Sequence, residues 1–283
     1  MIRGGVLVTG ASSGIGAAIA RELVERGFRV FGTIRRTEDE GALTVDGAVP
    51  IRMDVTDASS IAAARVAVER ALGGRPFVGL INNAGIPAAG PLELLPLAEL
   101  RQVLEVNVIG AVAVTQTFLP MLKASRGRVI NISSLAGRTA LPFLGPYAAS
   151  KFALEAVSDS LRRELTPFGV GVVVIEPGNI QSKIWDKVEA MDLGIYRGTA
   201  YEGALTRVRN EALRGGRRAP PATIVARAVT AALTARHPPA RIVVTEHPWI
   251  EGLIGRMPDW AVDWAIKRTV WKNGEGRRER GDG

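Results

Sequence analysis

The stretch Val6-Leu7-Val8-Thr9-Gly10-Ala11-Ser12-Ser13-Gly14-Ile15-Gly16 passes from an apolar run to three glycines within seven positions. The apolar part reads as a short buried strand, and the glycines read as a tight turn that opens a helix over residues 14–26. Such a turn leaves helix N–H groups without intrahelical partners at the positive end of the helix dipole, and glycine lets a ligand approach the backbone closely. Gly10, Ser12, Ser13, Gly14, Ile15 and Gly16 are therefore candidates to cradle the pyrophosphate of a dinucleotide. Their spacing is G-x-x-x-G-x-G, not the commoner G-x-G-x-x-G.

Outward from this turn, β-branched apolar runs alternate with longer segments of helical period. Strands are expected over residues 6–9, 29–34, 49–53, 78–82, 128–133, 171–176 and 241–245, with helices over 14–26, 58–72, 97–123, 147–166 and 223–235. That alternation predicts an α/β fold: a Rossmann-type, doubly wound parallel sheet of seven strands with helices on both faces. Residues 1–248 are expected as one NAD(P)-binding catalytic domain carrying a substrate-loop insertion over 180–220, and residues 249–283 as a helical extension whose basic end, 274–283, is frayed.

The end of the second expected strand, Thr33-Ile34-Arg35-Arg36, lacks the acid that would accept the ribose 2′-OH of NAD. A guanidinium there suits the 2′-phosphate of NADP. NADP(H) is therefore the preferred cofactor, with Arg35 as main phosphate ligand, Arg36 as support and NAD(H) as the alternative. Asp54, followed by Val55, closes the third strand where a carboxylate can accept from the adenine amine, while Asp57 is placed to cap the next helix. Asn83, Ala84 and Gly85 form a small-residue turn after the fourth strand that lets backbone lie beside the adenosine half.

Tyr147 and Lys151 are four residues apart, so on a helix they share a face. A free phenol, with a pKa near 10, is a poor base at neutral pH, and a nearby ammonium is expected to lower it. With Ser134 at an earlier strand end, the pair suggests acid–base work on an oxygen during hydride transfer.

Composition narrows the chemistry further. The 283 residues are 47% hydrophobic and 23% charged, enough apolar mass for a large core. There is no cysteine and there are two histidines, His237 and His247, which argues against disulfides and metal centres. The net charge of +8 is scattered without an aromatic-interleaved basic stripe, so no nucleic-acid partner is expected. No signal-peptide core or transmembrane run is evident, and a cytoplasmic location is expected.

The pattern as a whole resembles the short-chain dehydrogenase/reductase family from Thr9 to about Thr245. The resemblance rests on Thr9-Gly10-x-x-x-Gly14-x-Gly16, Asn82-Asn83-Ala84-Gly85, Asn107, Ser134, Tyr147 with Lys151, and Pro177-Gly178. It implies an NAD(P)-dependent oxidoreductase acting on CH–OH donors. In that scheme Tyr147 is the general acid/base and Ser134 holds the substrate oxygen. Lys151 binds the nicotinamide ribose and tunes Tyr147, and Asn107 keeps a helix distortion and a proton-relaying water. The family spacing selects Ser134 over Ser133, thirteen residues before the tyrosine. Pro177 and Gly178 bring backbone to the nicotinamide, and Ile180 binds its amide.

Residues 30–35, 141–143 and 147–155 look like the hydroxysteroid and retinol dehydrogenase branch. That likeness implies a lipophilic secondary alcohol or ketone as substrate, with cover expected from Ile184, Trp185, Met191, Leu193, Ile195, Tyr196 and Tyr201. Reduction of a carrier-bound 3-oxoacyl group or another polar carbonyl is the alternative within enzymes, with surface arginines to bind an acidic carrier, and a nucleotide-sensing binding protein the alternative outside them. Trp260, Trp264 and Trp271 fall within about 40° of one another on a helix, a stripe that needs cover. The resemblance further implies a homodimer or homotetramer built on the helices that hold Asn107 and Tyr147.

Overall fold

The computed structural model describes residues 3–182, 184–246 and 257–271. Seven short runs rich in β-branched and apolar residues form the strands: β1 (Gly5–Val8), β2 (Arg29–Ile34), β3 (Val49–Arg52), β4 (Phe77–Asn82), β5 (Arg128–Ile132), β6 (Gly171–Pro177) and β7 (Arg241–Val244). All pair in parallel in the order β3-β2-β1-β4-β5-β6-β7. Parallel strands need long crossovers, and the helices that supply them cover both faces, so central strands such as β1 are buried throughout.

On one face lie α1 (Gly14–Glu25) and α9 (Thr223–Thr234), which send Ile19, Leu23, Val225 and Val229 against Val6, Val30 and Ile130. On the other lie α3 (Ala58–Leu72) and α5 (Gly110–Ser125), with Ile61, Val68, Val114 and Phe118 against Leu7, Phe31 and Leu80. Each such fully buried side chain contributes about 1.5–3 kcal/mol. The strand order reverses between β1 and β4, which opens a crevice at their carboxyl ends where ligands bind in such sheets.

Several expected boundaries change. The helix expected over 97–123 is α4 (Leu97–Leu104), a π-helical turn Glu105–Ile109 centred on Asn107, and α5. The composite Leu97–Ser125 is apolar and long enough to cross a membrane by composition, contrary to the expectation of no such run. In this fold it packs on β4 and buries Phe118 and Leu122 in the core. A short α2 (Glu40–Val45) was not expected, and α6 (Gly145–Glu164) starts two residues early. The insertion after β6 holds α7 (Ile184–Glu189) and the long α8 (Glu202–Arg218).

The C-terminal helix, here α10 (Asp259–Thr269), ends before Trp271. The expected three-tryptophan stripe is therefore split. Trp260 and Trp264 remain 75% and 56% exposed, whereas Trp271 packs near Phe143 and Tyr201. The expected boundary at 248/249, His247 and the stretch 274–283 lie outside the described residues.

Candidate active site

The crevice is one continuous cleft of about 1580 Å³, larger than the roughly 300–1,000 Å³ typical for a single small ligand. At its glycine-rich end, Thr9 is buried at the tip of β1, and its Oγ1 accepts from the backbone N–H groups of Asn83 and Ala84, both at 2.9 Å. The Asn83 side chain returns the tie by donating to the carbonyls of Thr9 and Gly10 at 2.9 and 3.1 Å. The two turns the sequence singled out are thus bolted together. Gly16 is required by close approach: a Cβ there would lie 2.2 Å from the Gly10 carbonyl oxygen and 2.5 Å from Asn83 Nδ2. Ser13 makes no side-chain cap on α1, so the first N–H groups of that helix are left to the cleft, which Gly10, Ser12, Ser13, Gly14, Ile15 and Gly16 line.

Arg35 and Arg36 stand exposed at the end of β2 on the cleft rim, without an ion-pair partner among the described residues. A bare helix N-terminus beside two guanidiniums suits the phosphates of a dinucleotide. Asp54 and Val55 line the same end. The Asp54 carboxylate also accepts from Thr56 N and Oγ1 at 2.9 and 2.8 Å, and Asp57 caps α3 through Ser59 and Ser60.

Tyr147, on the first turn of α6, and Lys151, one turn later, converge with Ser134 at the opposite end. Ser134 precedes the turn after β5, where its Oγ accepts from Ala136 N at 3.1 Å and its hydroxyl lies near enough to the Tyr147 phenol to act on that group's pKa. Ser133, in contrast, is buried, and its Oγ has no hydrogen-bond partner among the described residues. Lys151 Nζ donates to the Ile132 carbonyl at 2.9 Å and sits 5.6 Å from the centre of the Tyr147 ring. Burial lowers the Lys151 pKa from 10.5 to about 8, against the opposing field of Glu155.

The expected lowering of the Tyr147 pKa is corrected here. Desolvation of the hydroxyl raises it, and the Ser134 hydroxyl pulls the other way without prevailing. The ring itself is half-buried at the cleft wall. A pKa above the ordinary phenol value keeps the Tyr147 hydroxyl protonated at neutral pH.

Asn107 is fully buried in the π-helical turn. Its Oδ1 accepts from Ile86 N at 2.8 Å, while Nδ2 donates to Ile86 O and to Ser150 Oγ, both at 3.0 Å. The helix distortion is present, and the side chain joins α6 to the loop after β4. Gly85, Ala84, Pro177, Gly178 and Ile180 all line the cleft. Gly178 N donates to Val244 O at 3.0 Å, and Ile180 O accepts from Trp185 Nε1 at 2.8 Å.

Of the residues expected to cover a substrate, Ile184, Trp185, Met191 and Leu193 line the cleft. Ile195, Tyr196 and Tyr201 do not. Ile195 is 61% exposed, while Tyr196 and Tyr201 pack in an apolar cluster that adjoins the cleft through Phe143 and Leu205. The sequence reading missed Arg138, whose Nη2 donates to the buried Glu176 Oε1 at 2.7 Å, and Ile266 and Val270, which wall the cleft from the C-terminal segment. It also missed Glu155, although the i,i+4 step that pairs Tyr147 with Lys151 leads on to it.

Comparison with known proteins gives concordant matches. The short chain dehydrogenase family profile covers residues 5–193. A 3-amino-tetrahydro-pyrrolizinone reductase of Xenorhabdus hominickii is 45% identical over 188 residues, 66% of this chain and 65% of that protein. An NADPH-dependent 3-dehydrocapnine reductase of Ornithobacterium rhinotracheale is 43% identical over 65% of this chain and 68% of its own length. Retinol dehydrogenase 16 of Mus musculus is 44% identical over 61% and 56%. The chain therefore spans about two-thirds or less of these relatives. Among solved structures, a short-chain dehydrogenase/reductase of Burkholderia phymatum in complex with NAD has TM-score 0.77 at 25% identity, over 93% of this chain and 95% of that one. A short-chain dehydrogenase of Burkholderia cenocepacia J2315 in complex with NADP has TM-score 0.71 at 25% identity, over 96% and 98%.

Proposed function

The chain belongs to the short-chain dehydrogenase family, and from that premise we propose that it is an NAD(P)-dependent oxidoreductase of the retinol- and hydroxysteroid-dehydrogenase-like branch that interconverts a lipophilic secondary alcohol and its ketone with NADP(H). One observation carries the proposal: the Tyr147 and Ser134 hydroxyls and the Lys151 ammonium converge in the cleft that also holds the bare N-terminus of α1, and its walls there are apolar.

The nicotinamide supplies or accepts hydride when bound. During reduction the substrate oxygen gains negative charge, and Ser134 and Tyr147 donate hydrogen bonds to it, Tyr147 giving up its proton. The raised Tyr147 pKa suits the donor role. Lys151, fixed on Ile132, stabilises the phenolate that results. Asn107, through Ser150 and the Ile86 backbone, holds α6 against the loop after β4. Phe143, Leu144, Trp185, Leu205, Val208 and Ile266 exclude water and accept apolar substrate. Arg35 and Arg36, together with the NADPH-dependent relative, support NADP(H) over NAD(H). Exposed Ile109 and Phe152, on the helices that carry Asn107 and Tyr147, support self-association through that surface.

A second reading, a 3-oxoacyl group on an acidic carrier, draws on Arg207, Arg209 and Arg214 of α8, which line the cleft. Steady-state assays with NADPH against steroid, retinoid and aliphatic ketones, and against a carrier-linked 3-oxoacyl group, separate the two. Tyr147→Phe is expected to reduce turnover by about 10²–10⁴-fold while leaving NADPH affinity nearly unchanged. Full activity in that variant would remove Tyr147 from the proton-donor role.

A further inference from the structure

Behind the reacting end lies a cluster of charges that the proposed mechanism leaves unused. Glu155 follows Lys151 by one turn of α6 and is buried at 7% exposure. Its Oε2 accepts from Arg241 Nε of β7 at 2.9 Å, while its Oε1 is buried without a hydrogen-bond partner among the described residues. Glu176, on β6 and fully buried, pairs with Arg138 at 2.7 Å and lies 3.6 Å from Arg241 Nε. Arg241 also reaches Asp159 at 3.0 Å, and Asp159 meets Arg162 and Arg163 on its outer side. The two inner carboxylates thus answer to two guanidiniums that enter from half-exposed side chains.

Burying carboxylates costs free energy even when they are paired, and hydrophobic residues of similar volume would serve packing as well or better. A reason for charge at this point is the neighbouring ammonium. Lys151 is buried at 5% exposure, and its one hydrogen bond among the described residues, to the Ile132 carbonyl, brings no counter-charge. Gly137 allows the Ser134 turn to lie directly on this part of α6: a Cβ there would stand 2.9 Å from Ser133 Oγ, 3.2 Å from Glu155 Cγ and 3.3 Å from the Lys151 carbonyl carbon. Arg138, at the end of that turn, then clamps it to β6 through Glu176.

We propose that Glu155 is a positioning residue for the reaction: its carboxylate is the counter-charge that keeps the buried Lys151 ammonium protonated at neutral pH, and Arg241, Glu176 and Arg138 hold it in place. The inference rests on the reading of Lys151 as the cation that stabilises the Tyr147 phenolate. The ionisable groups around this pair are Tyr147 and Asp159 on α6 itself, Arg138 on the turn after β5, Glu176 on β6 and Arg241 on β7. The elements packed on the other side of α6, α4 and the π-helical turn, bring Glu99, Arg101 and Glu105. A purely structural ion pair between α6 and β7 predicts loss of stability on breaking it but no change in Lys151 proton affinity.

The test is the titration of the Lys151 amine in cofactor-free protein, read by ¹⁵N NMR of labelled lysine and assigned with Lys151→Arg, and compared with the pH profile of kcat. In the native chain the ammonium is expected to titrate near 8. Glu155→Gln keeps shape and the acceptor for Arg241 while removing the charge. It is expected to move the titration and the matching limb of kcat down by about one pH unit. Glu155→Asp, which keeps the charge, is expected to return both most of the way. A Gln variant that titrates like the native chain overturns the proposal, as does an Asp variant displaced as far as Gln. Should Glu155→Gln not fold, the native titration decides: a neutral Lys151 at pH 7 overturns it. Because the NMR readout needs no turnover, failure here is distinct from failure of the Tyr147 assignment, which Tyr147→Phe tests.

Discussion

Lys151 Nζ is hydrogen-bonded to the carbonyl oxygen of Ile132 at 2.9 Å, so the ammonium is anchored on the last residue of β5 and not on the Tyr147 hydroxyl. The anchor places a cation in a dry site, and pH should reveal the cost. The pKa falls from 10.5 to about 8 on burial, so the unfolded chain binds the proton more tightly and stability rises with pH between those values. The difference corresponds to roughly 3 kcal/mol. Denaturant melts of the native chain and Lys151→Met should therefore converge or cross as pH rises from 7.5 towards 10.5, in favour of the native chain. A constant gap across that range would contradict the buried, depressed amine.

The two adjacent serines should behave oppositely. Ser134→Ala removes the hydroxyl that reaches Tyr147 and is expected to lower kcat by about 10²–10³-fold, the scale of one lost oxyanion donor. Ser133→Ala removes a buried hydroxyl that has no hydrogen-bond partner among the described residues, so it should leave kcat within a few-fold and stability unchanged or higher. Equal losses from the two variants would mean that Ser134 has no special placement.

Selectivity between cofactors should follow Arg35. A charge-assisted hydrogen bond contributes about 1.5–3 kcal/mol, so Arg35→Ala is expected to weaken NADPH by roughly 10- to 100-fold while NADH affinity moves little. Titration calorimetry with both nucleotides reads this directly. If the NADPH/NADH ratio stayed put, the 2′-phosphate would have to be held elsewhere, with Arg36 the next residue to test.

How far the sequence could be read follows from what each signal encodes. β-Branched runs between helical segments locate all seven strands, because a strand buried on both faces must be apolar throughout. The Tyr147–Lys151 spacing correctly gives a shared helix face, but spacing carries no information about desolvation, and so the sign of the Tyr147 shift was missed. Glu155 escaped notice because a glutamate four residues from a lysine ordinarily reads as a solvent-exposed pair. Its burial depends on β7, which arrives 86 residues later in the chain. The tryptophan stripe failed because helical period was extrapolated past Thr269, where the helix ends.

Trp185 connects the insertion to the reacting end, and its variants should separate binding from chemistry. Its indole donates to the Ile180 carbonyl at 2.8 Å and lies over Gly216 of α8, where an added Cβ would sit 2.3 Å from Trp185 Cδ2. Trp185→Phe keeps the aromatic bulk but loses a hydrogen bond with a net contribution of about 0.5–1.5 kcal/mol. The expected result is a KM higher by a few-fold for cofactor and substrate, with kcat changed less. Gly216→Val displaces the indole outright and should raise both KM values further, because the loop that carries Ile180 loses its support. The pair of variants is informative together: a kcat loss without a KM change in either would place Trp185 in the chemical step and not in the latch that holds the loop.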